Sequence, residues 1–412
     1  MQPSAASIRA YRQTYDNQLR DAVIPFWLEH SLDRECGGYL HCLERDGSVF
    51  DTDKFSWMGA RELWMWATLY NEVDPRPEYL DAATLGAEFL RDHGWDASGR
   101  VPFALERNGT PFIKPRGIFS ESFVAIGMAA FATASGEAWA LEHARRAYGV
   151  YLALADLPAT HDSSTYSGVR PALAHGVSFI KLATTQELRR HFNDGRFEQA
   201  ASAAIDTIVS KHVRQAQKAV FEYVTPGGQP IPGPMGRQLC PGHGVESMGF
   251  ILGEAARRDD AGLIDLACEA ILWSLQAGWD SEFGGLHYFV DAERSQNRKL
   301  EGDMKLWWVH AEALVAALRA YQLTGRAEFW HWFERIHLWA WSRFPDPEHG
   351  EWFGYLHRDG TVALSLKGSM WKGFFHLPRA LIQVVGLLDR IASQVGLPAG
   401  NTEPRAAERA GS

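Results

Sequence analysis

Two histidines in this 412-residue chain stand where a glycine-bearing loop runs into a helix. The first lies in Pro241-Gly242-His243-Gly244-Val245-Glu246. Pro-Gly breaks the chain and the apolar run from Val245 to Leu252 starts a helix, which puts His243 at about the N-cap. Partial positive charge at a helix start lowers a histidine's pKa, so His243 is expected to be neutral, as a proton-abstracting base near pH 7 must be. Glu246, three residues on, shares its face; a capping histidine with a helix-start glutamate is the plainer alternative. The second lies in Lys372-Gly373-Phe374-Phe375-His376-Leu377-Pro378-Arg379, where Pro378 opens a helix at its first turn. A satisfied core histidine is the alternative here, and the echo of the first site is what lifts His376 above it.

A third group is Lys305-Leu306-Trp307-Trp308-Val309-His310-Ala311-Glu312. Trp308 and Glu312 are four apart and share a helix face, with Lys305 one turn back. Charged groups on an inner helix cost desolvation unless they pair or line a wet cavity. Arg61 and Trp64 pose the same question on an earlier helix. A buried ion-pair network stitching helices together fits these residues equally well. His175 is expected to line the same mouth. No GxGxxG after a strand, no GxxxxGK[ST] and no GxSxG is present, and His243 with Glu246 is not HExxH. What remains is acid–base chemistry without a metal.

These residues need a frame, and the chain repeats. Glu35-Cys36-Gly37-Gly38-Tyr39-Leu40-His41 leads to Arg45-Asp46-Gly47; Glu282-Phe283-Gly284-Gly285-Leu286-His287-Tyr288 ends in Asp291; Glu351-Trp352-Phe353-Gly354-Tyr355-Leu356-His357 closes with Arg358-Asp359-Gly360. Weaker copies lie at Gly99–Phe103, ending in Arg107-Asn108-Gly109, and at Ala219–Tyr223. Each reads as a hairpin-like strand with a glycine turn. Spacings are about 60–70 residues, with one gap about twice that, so a degenerate unit belongs at His161–Arg170. Helical periodicity fills the intervals, two helices per unit. Six units predict an all-α (α/α)6 toroid with short β-hairpins in its connections, apolar inner helices and amphipathic outer ones, spanning 1–396 as one catalytic domain. An open solenoid would need polar capping repeats. The tail, 397–412, is expected to be disordered.

Composition narrows the class. Net charge is −9, no Lys/Arg run occurs, and 46% of residues are hydrophobic, which argues against a nucleic-acid partner. The four cysteines form no CxxC pair, the first 20 residues carry no signal-peptide core, and no stretch reaches the ~20 apolar residues of a membrane span. A cytoplasmic protein without membrane contact is expected. Sixteen tryptophans suit a sugar cleft, since indole offers a flat apolar face and a polar edge, and suit a Trp-rich core as well.

The order of Gly59-Ala60-Arg61-Glu62-Leu63-Trp64-Met65, Ile118-Phe119-Ser120-Glu121-Ser122-Phe123, Pro241-Gly242-His243, Asp303–Trp308, Gly350–Leu356 and Lys372–Arg379 resembles the N-acylglucosamine 2-epimerase family of (α/α)6-barrel sugar epimerases and isomerases. The resemblance implies two-base catalysis by His243 and His376, with Arg61, Glu246 and Glu312 completing the site. Glu246 would orient His243, and Trp64, Glu121, His175, Lys305, Trp308 and Arg379 would bind the sugar. It further implies a small-molecule sugar substrate interconverted between N-acetylglucosamine and N-acetylmannosamine, no cofactor for the chemistry, ATP as an allosteric activator, and a homodimer. A histidine at 175 is similar instead to the isomerase branch, which makes an aldose–ketose isomerase or a 2-epimerase of mannose, glucose or fructose the alternative. A glycoside hydrolase on the same toroid would need two facing carboxylates among Glu121, Glu246 and Glu312, and a non-catalytic carbohydrate-binding or interaction protein would need neither base.

Overall fold

A computed structural model describes residues 3–155 and 171–396. The expected degenerate unit at His161–Arg170 and the tail 397–412 lie outside the described residues. Within them run twelve helices: α1 (5–30), α2 (56–73), α3 (Pro77–His93), α4 (Phe119–Ser135), α5 (Ala138–Ala155), α6 (His175–Leu188), α7 (196–212), α8 (Pro241–Arg258), α9 (Ala261–Gly278), α10 (Trp307–Thr324), α11 (Ala327–Trp341) and α12 (His376–Gln394). A π-helical turn interrupts α1 at Gln18–Val23 and ends α2 and α7.

The even-numbered helices form the inner ring. α10 is buried without a break from Trp307 to Leu318, as a helix surrounded by others must be. The outer helices are two-faced: in α7, Phe197, Ala200, Ala201, Ala204 and Ile205 are buried at three-to-four spacing. Consecutive inner helices touch in sequence from α2 through α12, and Phe374 and Phe375 close the ring against Trp66 and Trp64, with centroids 4.4 and 5.4 Å apart. The outer partner of α12 is α1, so the sixth pair is assembled from the two ends of the chain; Arg12 meets Asp389 at 2.6 Å across it.

The short strands cluster at one mouth. Lys54–Phe55, Leu173–Ala174, Gln238–Leu239 and Lys305–Leu306 each lead into the start of an inner helix. Each pairs antiparallel with a neighbouring strand; Lys305 faces Leu356 and Lys54 faces Leu105. Gly47, Gly109 and Gly360 turn the hairpins with φ of 86°, 92° and 90°, a region open to glycine at little cost.

The repeats also carry a clasp. Asp33, Asp280 and Asp346 occupy equivalent turns; each is buried, each accepts backbone N–H bonds, and each holds a lysine of its own unit. The pairs are Asp33–Lys54 at 2.9 Å, Asp280–Lys305 at 3.0 Å and Asp346–Lys367 at 2.9 Å. A third group arrives from the next hairpin: Arg107 on Asp33, Arg358 on Asp280, and, across the chain ends, Arg45 on Asp346. Lys305 is therefore not a helix residue facing the cleft. It sits in a strand, buried against Asp280, and clasps two units together, which corrects its expected role in sugar binding.

Candidate active site

His243 and His376 both reach the mouth from the first turn of an inner helix. Cys240, not His243, is the N-cap of α8; Pro241 is the first helical residue and His243 the third. His376 is the first residue of α12. The Trp308 indole on α10 lies between them, 5.2 Å from the His243 ring and 5.6 Å from the His376 ring, tilted 35° and 37°. Each histidine ties Nδ1 to a carboxylate: His243 to both oxygens of Glu222 at 3.0 Å, His376 to Oε1 of Glu312 at 2.7 Å. A carboxylate accepts, so each Nδ1 carries the proton and each Nε2 is the atom left for chemistry.

The expected orienting partner of His243, Glu246, does something else. It lies one turn deeper on α8 and accepts from Arg379 at 3.3 Å, while Arg379 also donates to Glu312. Glu246, Arg379 and Glu312 form one buried bridge beneath His376. Burial and then the neighbouring Glu312 charge raise the pKa of Glu246, whereas Arg379 and His376 overcome burial and hold that of Glu312 down. The true partner of His243, Glu222, is on the edge of a strand turn, two residues after Val220. Its signal in the sequence was the weakest of the repeat copies, where a single acidic residue sits among apolar ones.

The two imidazoles are charged differently. Burial alone lowers His243, but Cys240 and Glu222 outweigh it and its pKa lies well above the usual value. The Cys240 thiol is itself raised by burial and stays neutral at pH 7, so the Glu222 carboxylate is the group that keeps the proton on His243. This overturns the neutral imidazole expected from the helix start: an adjacent buried carboxylate outweighs the partial charge of a helix terminus. For His376 burial wins; Glu312 pulls against it, Arg61 and Arg379 side with it, and the pKa falls to about 4.

Arg61 lies under an aromatic cage, its guanidinium 4.1 Å from the Phe123 ring centre, 4.3 Å from Trp57 and 4.7 Å from Phe375. Among the described residues no side chain or carbonyl accepts a hydrogen bond from it. Burial lowers its pKa to about 9, which leaves it a cation at pH 7. Arg61, Trp64, Glu246 and Arg379 wall a cavity of about 260 Å³ that runs along the inner helices; His243 and His376 each stand one turn before a wall residue. Trp64 donates Nε1–H to Glu187 at 2.9 Å in that wall.

Two other expected binding residues are elsewhere. Glu121 is buried and accepts from Arg100 and from the Val101 N–H, bracing a loop to α4. His175 is fully buried behind Glu222, its Nδ1 3.8 Å from that carboxylate, so it backs the site rather than lining it. The Gly284-Gly285 segment packs against the Trp339 ring as one more repeat turn.

The sequence pattern of the N-acylglucosamine 2-epimerase family matches residues 38–380. The N-acylglucosamine 2-epimerase of Bos taurus is 36% identical over 98% of this chain and 100% of its own length. The chain belongs to the N-acylglucosamine 2-epimerase family. The Homo sapiens member is 34% identical, covering 96% of this chain and 94% of its own. In fold, the family barrel is visible in a cellobiose 2-epimerase from Bacillus thermoamylovorans, with a TM-score of 0.81 over 92% of this chain and 99% of that one at 20% identity. The helical (α/α)6 architecture and the family membership expected from the motifs thus both hold. No helix among the described residues is long and apolar enough to cross a membrane.

Proposed function

We propose that this enzyme is a sugar 2-epimerase that interconverts N-acetylglucosamine and N-acetylmannosamine. The observation that carries the reading is the pair of histidines on either side of Trp308, each with Nδ1 held by its own carboxylate and with no hydrogen-bond partner at Nε2 among the described residues. Inversion at carbon needs a base on one face and an acid on the other. On the open-chain sugar, neutral His376 removes the C2 proton and the electron pair passes to the C1 carbonyl, giving a planar enolate that keeps the acetamido group on C2. Arg61 stands ready to hold the developing oxyanion, since its donors have no acceptor among the described residues. Protonated His243 then delivers its proton to the opposite face of C2, the carbonyl re-forms, and the configuration is inverted. In the reverse direction the two histidines exchange roles.

A hydrolase fits the geometry less well. Glu246 and Glu312 share Arg379 instead of facing each other across open space, and Glu121 is committed to Arg100. The named relatives support the acylated sugar over free mannose or glucose. A cytoplasmic homodimer responsive to ATP completes the proposal.

Proton NMR in D₂O tests it. Incubation with N-acetylglucosamine should yield the manno epimer carrying deuterium at C2, and added ATP should speed its appearance. Fructose formed from mannose, with the acylated sugar untouched, would replace this reading with an aldose–ketose isomerase.

A further inference from the structure

The Glu222 side of the cleft contains more ligating groups than proton transfer requires. Glu222, Cys240 and His243 each offer a donor atom, and these atoms all lie within 4.8 Å of one another. Carboxylate, thiol and imidazole together are a ligand set for a thiophilic divalent cation, softer than magnesium or calcium would take. A second observation points the same way. His175 is fully buried, has no hydrogen-bond partner at either ring nitrogen, and presents Nδ1 to Glu222 at 3.8 Å. A buried imidazole with both nitrogens unsatisfied costs free energy that a ligand bound beside it would recover. The route in is open, because the His243 side chain is 28% exposed while Glu222 and Cys240 are buried behind it.

We propose that Glu222, Cys240 and His243, backed by His175, form an inhibitory binding site for a zinc-class divalent cation. Binding replaces two protons, one from the Cys240 thiol and one from His243 Nδ1, which pass to solvent; the cation then makes S, N and O bonds and keeps a fourth position for His175 or water. The metal-bound ring keeps its Nε2 proton but is no longer an imidazolium paired with Glu222 and cannot release and regain that proton near neutral pH, so turnover stops. Occupancy stands independently of the catalytic reading; the loss of turnover rests on it.

The other such cluster, Glu246, Glu312 and His376, lacks a thiol and is already neutralised by Arg379. It therefore lacks a spectroscopic marker and an unfilled need for charge.

Cobalt(II) is the probe. Titrated into the dialysed full chain, it should give one saturable site per chain, with a near-ultraviolet thiolate-to-cobalt absorption band and visible bands of tetrahedral strength, displaced by zinc. In Cys240→Ser the thiolate band should vanish and affinity should fall by at least about tenfold, while Cys36→Ser, which removes the partly exposed thiol, should leave both unchanged. Zinc should inhibit the wild-type enzyme reversibly, with activity restored by chelator. A thiolate band that disappears in Cys36→Ser but survives Cys240→Ser overturns the site, as does the absence of saturable binding. Saturable binding with the Cys240-dependent band but undiminished turnover upholds the site and removes His243 from the mechanism.

Discussion

The two sides of the cleft use the same parts to opposite ends. On each, a histidine in the first turn of an inner helix donates Nδ1–H to a buried glutamate. The difference lies one residue further out. Among the described residues no arginine bonds Glu222; its neighbours are His243 and His175, which hold its own pKa down against burial. Its full charge therefore acts on His243. Glu312 instead spends its charge on Arg379, and Arg61 adds a second cation nearby. What reaches His376 is too little to offset burial. A resting enzyme with one protonated and one neutral imidazole follows, which is the starting condition for moving a proton through a planar intermediate. The lesson is that a histidine's role is written in the partner of its partner.

The largest effect should come from removing either imidazole. His376→Ala and His243→Ala are each expected to lose about 10²–10⁴-fold in kcat with unchanged circular dichroism. Deuterium exchange at C2 without epimerisation in His243→Ala, and no exchange in His376→Ala, would sharpen the assignment of base and acid; equal exchange in both would break it.

Glu222→Gln should move only one side. Forward turnover needs His376 neutral and His243 protonated, so activity lies above the pKa of the former and below that of the latter. Without the carboxylate, His243 loses its proton at lower pH, and the alkaline limb of the pH–rate profile shifts down while the acid limb stays. An unmoved alkaline limb would show that another group keeps that proton.

Arg379→Met is the mirror experiment. With the guanidinium gone, Glu312 acts on His376 with full charge, the pKa of His376 rises from about 4, and the acid limb moves up. Leaving Glu246 and Glu312 together without their cation should also cost stability, by about 3–5 kcal/mol for a broken buried pair. If the acid limb stays where it was, burial alone sets His376.

The smallest effect should be Arg45→Ala. Its side chain is 39% exposed, so loss of its solvent-screened contact with Asp346 should show only as a small fall in Tm with both pH limbs in place.

Much of this was legible in the sequence because repetition amplifies it. His243 and His376 could be picked out by the glycine loops and helix starts that recur in register, and the six-unit count followed from the spaced hairpins. Pairings set by tertiary geometry were not. Glu246 shares a helix face with His243, yet first-turn side chains lean toward the helix start, and one turn of depth was enough to hand it to Arg379 instead. Glu222 reaches His243 from the turn between two short strands, a contact no spacing encodes. Lys305 looked like an inner-helix cation only because the helix was started two residues early; its partner Asp280 lies 25 positions away across a turn. The repeated Asp in that turn, with an Arg-Asp-Gly one hairpin on, was the available clue.

The clasp from Arg45 to Asp346, together with the split pair α1 and α12, means that the polypeptide has ends but the ring has none. In an open stack the outermost repeat has one neighbour and frays first. Here every described clasp hands a guanidinium to the preceding unit, and the seam between first and last is fastened like the others. Moving the chain termini to an exposed turn elsewhere, with the old ends joined, should leave the circumference unaltered, and with it the separation of the two imidazoles across the mouth.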